Sequence, residues 1–166
     1  MRNLIYAEAH NELLDLKTTL KMSGLEFMTG VLTGKLPAPP IGRTLNFGLW
    51  SVEDGRVVFR GAPLFEHCNP LGTVHGGWYG TLLDSCMACS VMTKVPLGSV
   101  YTTLEFKVNI IRPIPLDMMV EAVGETDHVG RSTGVSHGVI RGVDDNRIYA
   151  TGSTTCIIMK MEDKPT

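Results

Sequence analysis

The sequence has no large excess of positive or negative charge. Its 166 residues include 15 Lys and Arg against 17 Asp and Glu, a formal net charge of −2, and no block of like charges occurs along the chain. Proteins that bind the phosphate backbone of nucleic acids need a basic surface, so we expect no nucleic-acid partner. Uninterrupted apolar runs of the roughly 18 residues that span a bilayer are also missing, so we expect no membrane partner.

Cysteine is scarce and poorly placed for a disulfide framework. The four cysteines are Cys68, Cys86, Cys89 and Cys156, and most of them lie among apolar residues, as buried reduced thiols do. Cys86 and Cys89 have the spacing of a redox or zinc motif, but they fall inside a predicted helix and no second pair follows. No cluster of His, Asp or Glu has ligand spacing either. We therefore expect neither a metal nor a redox cofactor.

The first residues lack the apolar core of a secretion signal, because acidic and polar residues interrupt segment 1–12. By default, the sequence predicts a cytoplasmic protein. The length of 166 residues and the 43% share of hydrophobic residues are enough for one packed domain with a sizeable core.

The N-terminal part has the pattern of short helices. Leucines at helical spacing before residue 34 predict two of them, and Ser23 and Glu26 stand three residues apart, as in a capping box. The proline-rich segment 34–42 cannot sustain a helix and predicts an extended loop. We therefore divide the chain into a helical extension with its proline-rich loop, residues 1–40, and a main domain, residues 41–162.

The main domain has the pattern of strands around one helix. Strands are predicted at 45–50, 56–60, 101–112, 118–127, 132–143 and 147–159, with turns at 53–55 and 144–146. Short connections between them predict an antiparallel meander. The apolar run 78–95 predicts a helix that ends near Lys94 and Pro96. A helix that is apolar on most sides must be enclosed, so we expect an α+β fold in which about six strands wrap around it.

Asp84 is the single acid in the buried part of this helix. A carboxylate is costly to bury unless it has polar partners or a chemical role. Gly76 and Gly77 stand at the start of the helix, where the backbone N–H groups have no internal partner and no Cβ keeps a ligand away. Such N–H groups can stabilise a carbonyl oxygen that develops negative charge.

The order of hairpin, glycine loop, central helix and four strands resembles the hotdog fold. Asn69, the triplet His75-Gly76-Gly77 six residues later and Asp84 nine residues after the histidine resemble the pattern of acyl-CoA thioesterases of the phenylacetate-pathway (PaaI) type. The likeness covers about residues 40 to 160 and leaves out the helical extension. It implies hydrolysis of an acyl-CoA thioester to a free acid and coenzyme A, with Gly76 N–H as the oxyanion donor. It also implies a two-fold dimer, often paired into a tetramer.

Helix geometry leads to two copies of the chain by a separate argument. His75 and Asp84 are nine positions apart, which is about 13 Å along a helix and roughly half a turn out of phase. A base must come within about 3 Å of the atom that it acts on. We therefore expect the helix start of one copy to face Asp84 of another.

The roles of the polar residues leave several alternatives open. Asp84 either activates a water or attacks the thioester carbonyl itself. Asn69 either positions the water or the carbonyl, or only caps its loop. His75 either orients the loop or polarises the substrate, or is a structural histidine. Thr103 falls where related enzymes carry a hydroxyl near the water, and Thr102 competes because neighbours in a strand face opposite sides.

A second set of residues is predicted to contact the substrate. Coenzyme A carries phosphates, so a cationic rim is needed, for which Lys107, Arg112 and Arg131 are the candidates. Gly77 leaves room for the substrate. Trp78, with its neighbour Tyr79, either lines the acyl pocket or packs in the core or a dimer contact.

Two other functions remain possible on this fold. A non-catalytic module would bind acyl-CoA or another apolar ligand, but it gains nothing from a carboxylate such as Asp84 beside the thioester. A hydratase or dehydratase would need a histidine and an acid converging on a hydroxyl group. The N-terminal helices either cap the pocket or extend an assembly contact, and the sequence does not indicate the acyl group.

Overall fold

A six-stranded antiparallel sheet and one long helix dominate the computed structural model, which describes residues 4–161. The strands are β1 (Phe47–Glu53), β2 (Arg56–Gly61), β3 (Ser99–Ile110), β4 (Val120–Val129), β5 (Thr133–Gly142) and β6 (Ile148–Lys160), and the helices are α1 (Leu16–Thr19), α2 (Gly24–Leu32), α3 (Pro40–Thr44) and α4 (Gly76–Met92). Two 3-10 helices span His10–Glu12 and Phe65–His67. The predicted α+β fold is confirmed. None of the helices within residues 4–161 has the length and apolarity needed to cross a membrane.

The order of strands in the sheet is β1-β2-β4-β5-β6-β3, with every neighbouring pair antiparallel. The predicted meander is wrong for β3, which pairs with β6 and not with β4. The connection 111–119 contains Pro113 and Pro115, and proline cannot donate the hydrogen bonds of a hairpin ladder. The chain therefore crosses from one edge of the sheet to its middle, and β1 and β3 become the two edge strands.

Strand β3 contains a bulge. Its pairing with β6 shifts register between Thr103 and Glu105, so one residue of β3 is extra relative to β6. The strand is long and much of it is exposed: nearly all positions after Thr103 are on the surface.

Helix α4 lies against the concave side of the sheet and contacts β2, β3, β4, β5 and β6. Eleven of its 17 residues are buried, which confirms the prediction that the sheet encloses it. Glycines let the strands come close: a Cβ at Gly124 would collide with the backbone of Cys86, and one at Gly138 would collide with Met87. The helix ends at Met92, slightly before the predicted end, and the Thr93 hydroxyl donates to the Ser90 carbonyl oxygen at 2.6 Å.

The N-terminal extension packs against this framework. The Ser23–Glu26 capping box is present at the start of α2, as predicted. Within the proline-rich segment, the predicted loop is wrong from Pro40 onward, because Pro40 starts helix α3. Proline is accepted at the first helical position, where its missing N–H would have no partner anyway. Met28 and Val31 of α2 share a buried apolar cluster with Leu49 of β1. The domain boundary after residue 40 stays a prediction.

Candidate active site

The loop before α4 is organised by Asn69. Its Oδ1 accepts hydrogen bonds from the backbone N–H groups of Leu71 (2.9 Å) and Thr73 (3.3 Å), and its Nδ2 donates to the Thr73 hydroxyl at 2.8 Å. The Asn69 backbone N–H also donates to the Thr73 carbonyl oxygen. These contacts correspond to the loop-capping alternative. A direct contact between Asn69 and a substrate stays a prediction.

His75 is the N-cap of α4. Its ring Nδ1 accepts a hydrogen bond from the Gly77 N–H at 2.9 Å, and its carbonyl oxygen accepts from the Trp78 N–H at 3.0 Å. A histidine ring thus does what a Ser or Asp side chain does at many helix starts. The contact with Gly77 favours the role of His75 in orienting the loop over direct contact with a substrate.

These contacts leave one backbone donor available at the helix start. Among residues 4–161, the Gly76 N–H has no hydrogen-bond partner, and Gly76 is exposed. Gly77 is exposed too, but its N–H is already bound by His75. Of the two predicted glycines, only Gly76 can therefore offer an N–H to an oxyanion, while Gly77 can leave space beside it.

Asp84 lies half-buried in the middle of α4. Its Oδ1 accepts a hydrogen bond from the Thr103 hydroxyl of β3 at 3.0 Å. Burial raises the pKa of this carboxyl above its ordinary value, and the hydrogen bond from Thr103 partly opposes the rise. The structure thus brings Thr103 to the acid, whereas Thr102, the competitor, faces solvent. The carboxylate keeps a second oxygen for a water or a substrate.

The part of α4 that remains unburied forms a stripe. Its members are Gly76, Gly77, Thr81, Asp84, Ser85 and Cys89. Beside this stripe lies the edge strand β3: a methyl group at Gly80 would meet the Phe106 ring at 3.4 Å, and one at Gly76 would meet Ile110 Cδ1 at 3.6 Å. Leu104, Phe106 and Ile110 of β3 are 59%, 45% and 51% exposed. An apolar, unpaired strand edge of this kind is typical of an interface.

Gly76 and Asp84 do not meet within one chain. They lie on the same continuous helix, eight residues apart, so the rise between them is about 12 Å. A single thioester carbonyl cannot contact both. The shared site of two copies stays a prediction that this geometry supports.

The structure places Trp78 in the core rather than at a surface that a substrate could reach. Its side chain is 2% exposed, its indole N–H donates to the Leu45 carbonyl oxygen at 2.8 Å, and its ring packs edge-on against Phe47. Tyr79 is buried as well, and its hydroxyl accepts from the Ile114 N–H. The predicted substrate contact of Trp78 is therefore replaced by core packing, because the helix turns that side chain toward the sheet.

The three predicted cations do not form one rim within the chain. Lys107 is exposed on β3, and Arg112 is exposed beside the start of α4, where its guanidinium donates to the Ile148 carbonyl oxygen. Arg131 lies in the turn before β5, whose Gly134 packs against Val91 near the end of α4. Arg112 thus lies near Tyr79 and Arg131 lies in the turn near Val91, and these two helix positions are about 18 Å apart along the axis of α4. Their contact with coenzyme A stays a prediction.

A cavity that was not predicted from the sequence lies farther along the same stripe of α4, beyond Asp84. The cavity has a volume of about 410 Å³ and lies between the N-terminal extension and the residues Ser85, Cys89 and Tyr101. Helical spacing of Ser85 and Cys89 along α4 was the signal that could have indicated it. Among the residues that the structure describes, no group of His, Cys, Asp and Glu could hold a metal ion.

Comparison with known proteins identifies the fold. Residues 71–149 match the family model of the thioesterase superfamily. A phenylacetic acid degradation-related protein from Ralstonia eutropha JMP134 is 24% identical, with 79% of this chain and 98% of that chain covered and a TM-score of 0.72. A mutant of the phenylacetic acid degradation protein PaaI from Thermus thermophilus is 23% identical, with 71% and 97% covered and a TM-score of 0.65.

A third structure adds a ligand to the comparison. A hypothetical thioesterase protein from Streptococcus pneumoniae TIGR4, solved with coenzyme A, is 26% identical, with 71% of this chain and 89% of that chain covered and a TM-score of 0.63. These matches leave out about a quarter of the present chain. The resemblance predicted from the sequence is confirmed: the chain has the hotdog fold, and it resembles thioesterases of the PaaI type.

Proposed function

We propose that the protein is an acyl-CoA thioesterase whose active site is shared by two copies of the chain. Asp84 of one copy acts as general base or nucleophile, and the Gly76 N–H of the other copy stabilises the oxyanion. The observation that carries the proposal is that one helix offers both groups. Asp84 is half-buried and accepts a hydrogen bond from the Thr103 hydroxyl, and the Gly76 N–H at the start of α4 has no partner within residues 4–161. A protein solved with coenzyme A on the same fold supports the substrate class.

In the general-base route, Asp84 takes a proton from water while the water oxygen attacks the thioester carbonyl carbon. The carbonyl oxygen becomes negative and is held by the Gly76 N–H. The carbon–sulfur bond then breaks, the free acid forms, and the thiolate of coenzyme A takes the proton back from Asp84. In the nucleophilic route, an Asp84 oxygen forms an anhydride with the acyl group as the thiolate leaves, and water then cleaves the anhydride. Neither route uses a metal or a redox cofactor.

The raised pKa of Asp84 fits this chemistry. A carboxylate with a higher pKa is a stronger base for a proton of water, and burial is the cause of the rise. Thr103 holds one carboxylate oxygen in place. In this proposal Thr103 is a positioning residue, and Asp84 is the residue that contacts the reacting atoms.

The exposed edge of β3 supports the proposed dimer. Leu104, Phe106 and Ile110 stay on the surface of a single chain, although burying one such side chain is worth about 2 kcal/mol. They flank the same stripe of α4 that carries Gly76 and Asp84. Pairing of two chains along β3 would cover these side chains and bring the two stripes together. A cytoplasmic location and a further pairing into a tetramer also remain proposals.

Complementation between two inactive variants tests the shared site. Asp84→Ala removes the acid. Gly76→Pro removes only the N–H, because proline suits the first position of a helix and His75 already has the extended backbone that precedes proline. We expect each variant alone to lose about 10²- to 10³-fold in kcat/KM for an acyl-CoA.

Mixed dimers of these two variants carry one intact site and one site with both defects. After co-expression or subunit exchange, half of the dimers are mixed, so about a quarter of the wild-type activity should return. Gly76→Ala is the control, since it keeps the N–H and its Cβ would meet Ile110 at an ordinary 3.6 Å. Recovery of no activity from the mixture would show that one chain holds the whole site, and full activity of Asp84→Ala would rule out the proposed chemistry.

A further inference from the structure

The cavity next to Asp84 is built largely by residues outside the part shared with the thioesterase family. Tyr6, Phe27, Val31 and Ala38 line it from the N-terminal extension, and Leu49 and Tyr101 are among the residues that line it from the sheet. Its volume of about 410 Å³ falls within the range of about 300–1,000 Å³ of small-molecule sites. No charged side chain and no histidine of residues 4–161 lines it.

The cavity adjoins the Asp84–Thr103 pair on both elements that carry the pair. On α4, Ser85 lines the cavity and is the next residue after Asp84. On β3, Tyr101 lines the cavity and precedes Thr103 by two positions on the same side of the strand, about 7 Å away along it. The cavity therefore begins one residue from Asp84 on α4 and two residues from Thr103 on β3, which places it within reach of a molecule whose reacting carbon lies at Asp84.

Hydrogen bonds hold the part of the extension that lines the cavity to the main domain at several points. The Gly24 N–H donates to the Val95 carbonyl oxygen at 2.9 Å, and the Gly98 N–H donates to the Leu20 carbonyl oxygen at 3.0 Å. Near the other end, the Tyr6 hydroxyl donates to the Phe47 carbonyl oxygen at 3.2 Å. The cavity is thus preformed, which lowers the entropic cost of binding.

We propose that this cavity binds the acyl chain of the substrate. The preferred substrates are then acyl-CoA thioesters whose acyl group is aliphatic, uncharged and of medium length, and the N-terminal extension determines the length of acyl chain that fits. This inference rests on the proposed function. At roughly 30 Å³ for each water-sized group, a volume of about 410 Å³ holds about a dozen heavy atoms. A phenylacetyl group, with nine heavy atoms, would leave about a third of the cavity empty, and a dicarboxylic acyl group would bury an unpaired charge.

The first test is the acyl-length profile of the wild type. With acetyl-, butyryl-, octanoyl-, decanoyl-, dodecanoyl-, hexadecanoyl- and phenylacetyl-CoA, kcat/KM should rise by about two- to fourfold for each methylene that enters the cavity and reach its maximum at about ten to twelve carbons. Succinyl-CoA should react at least 100-fold more slowly than octanoyl-CoA. A maximum at acetyl- or phenylacetyl-CoA, or equal rates with succinyl- and octanoyl-CoA, would overturn the proposal.

Variants of the extension provide the second test. Val31→Phe fills the cavity and should lower kcat/KM for decanoyl-CoA at least tenfold while butyryl-CoA changes less than twofold. Thr29→Phe is the matched control: it adds a phenyl ring to an exposed position of the same helix that does not line the cavity, and the wild-type profile should remain. Ala38→Leu narrows the cavity from the other side and should act like Val31→Phe, which guards against a folding defect of one variant. Unchanged profiles in both filled variants would overturn the proposal.

Binding measurements separate this inference from the proposed hydrolysis. By isothermal titration in the Asp84→Ala background, which prevents turnover, the protein with and without Thr29→Phe should bind decanoyl-CoA at least tenfold more tightly than coenzyme A, and addition of Val31→Phe should abolish that difference. If none of the acyl-CoAs is hydrolysed but this pattern holds, the proposed hydrolysis fails and the cavity assignment stands. If hydrolysis is seen but the pattern is absent, the cavity assignment fails alone.

Discussion

The two edges of the sheet differ in how far the rest of the chain covers them. Along β1, the chain's own extension packs: a Cβ at Gly48 would collide with Leu4 and Tyr6, and Met28 and Val31 of α2 share a buried cluster with Leu49. Along β3, nothing within residues 4–161 covers Leu104, Phe106 and Ile110. The β1 edge is therefore covered by the same chain, whereas the β3 edge is open to a partner chain.

This difference separates two tasks within the molecule. The covered side, under the N-terminal extension, holds the apolar cavity, which we assign to substrate selection. The uncovered side holds Gly76 and Asp84, which we assign to the reaction and which do not meet until another chain is added. A change on the β3 side should therefore act on activity through assembly, whereas a change on the β1 side should act on stability or on the choice of substrate.

The largest effect should come from a charge on the open edge. Phe106→Asp places a carboxylate at the centre of the proposed interface, where it would be desolvated without a partner. We expect a monomer by sedimentation or light scattering and a loss of about 10³-fold in kcat/KM, because each monomer lacks half of the site. Val143→Asp, at a 38% exposed position in the β5–β6 turn, is the control and should stay dimeric and active. A fully active monomer of Phe106→Asp would show that activity does not require assembly through the β3 edge.

A smaller effect is expected from loss of the Thr103 hydroxyl, which donates a hydrogen bond to Asp84. Thr103→Val keeps the shape of the side chain but removes the hydrogen bond to Asp84. A hydrogen bond to a charged group is worth about 1.5 kcal/mol or more, so we expect kcat to fall about tenfold with KM little changed. The acidic limb of the pH profile should also move to higher pH, since that hydrogen bond holds the pKa of Asp84 down. Thr103→Ser should restore both values, and a change in KM alone would contradict the positioning role.

On the covered side, loss of the helix cap should act on stability. In α2, the Ser23 hydroxyl accepts from the Glu26 N–H, and the Glu26 carboxylate accepts from the Ser23 N–H. Ser23→Ala should lower the free energy of unfolding by about 1 kcal/mol, measured by urea denaturation, without changing the oligomeric state. Thr29→Ala, on the exposed side of the same helix, should have a smaller effect. Dissociation of the dimer in Ser23→Ala would show that the extension serves assembly.

The smallest effect concerns the pH dependence of stability. Burial raises the pKa of Asp84 in the folded state above its unfolded value, so the folded state binds the proton more tightly. Stability contributed by this proton is therefore present below the unfolded pKa and is lost as pH rises through the folded pKa. Asp84→Asn should have a higher Tm than wild type at pH 7, and the difference should shrink at low pH. An equal or lower Tm at pH 7 would show that the ionised acid is better stabilised than its burial suggests.

The sequence was enough to predict most of the main domain. The enclosed helix, the β1–β2 hairpin and the capping box followed from local patterns of apolar residues and turn residues, which the structure keeps. The pairing partner of β3 did not follow, because a connection with two prolines gives no information about which strand it reaches. Of the site, Thr103 was indicated by the family resemblance alone, and strand alternation left Thr102 as a competitor until the structure showed the hydrogen bond between Thr103 and Asp84. The contact of the His75 ring with the Gly77 N–H is a local N-cap that did not follow because histidine is not among the usual capping residues. The cavity behind Ser85 depends on long-range packing that periodicity does not contain.

The bulge in β3 has a consequence for insertions and deletions. Before it, odd-numbered residues such as Tyr101 and Thr103 face α4; after it, even-numbered residues such as Phe106 and Ile110 do so. A regular strand would keep a single parity, and could then direct either the hydroxyl or the apolar side chains toward the helix, but not both. Loss of Leu104 alone would bring Thr103 and Phe106 to a spacing of two positions, so a regular strand would keep both on the side of α4 and would keep the present pairing with β6. Loss of a residue between Glu105 and Ile110 would instead turn part of the strand to the other side, so Leu104 should be the easiest residue of this half of β3 to remove.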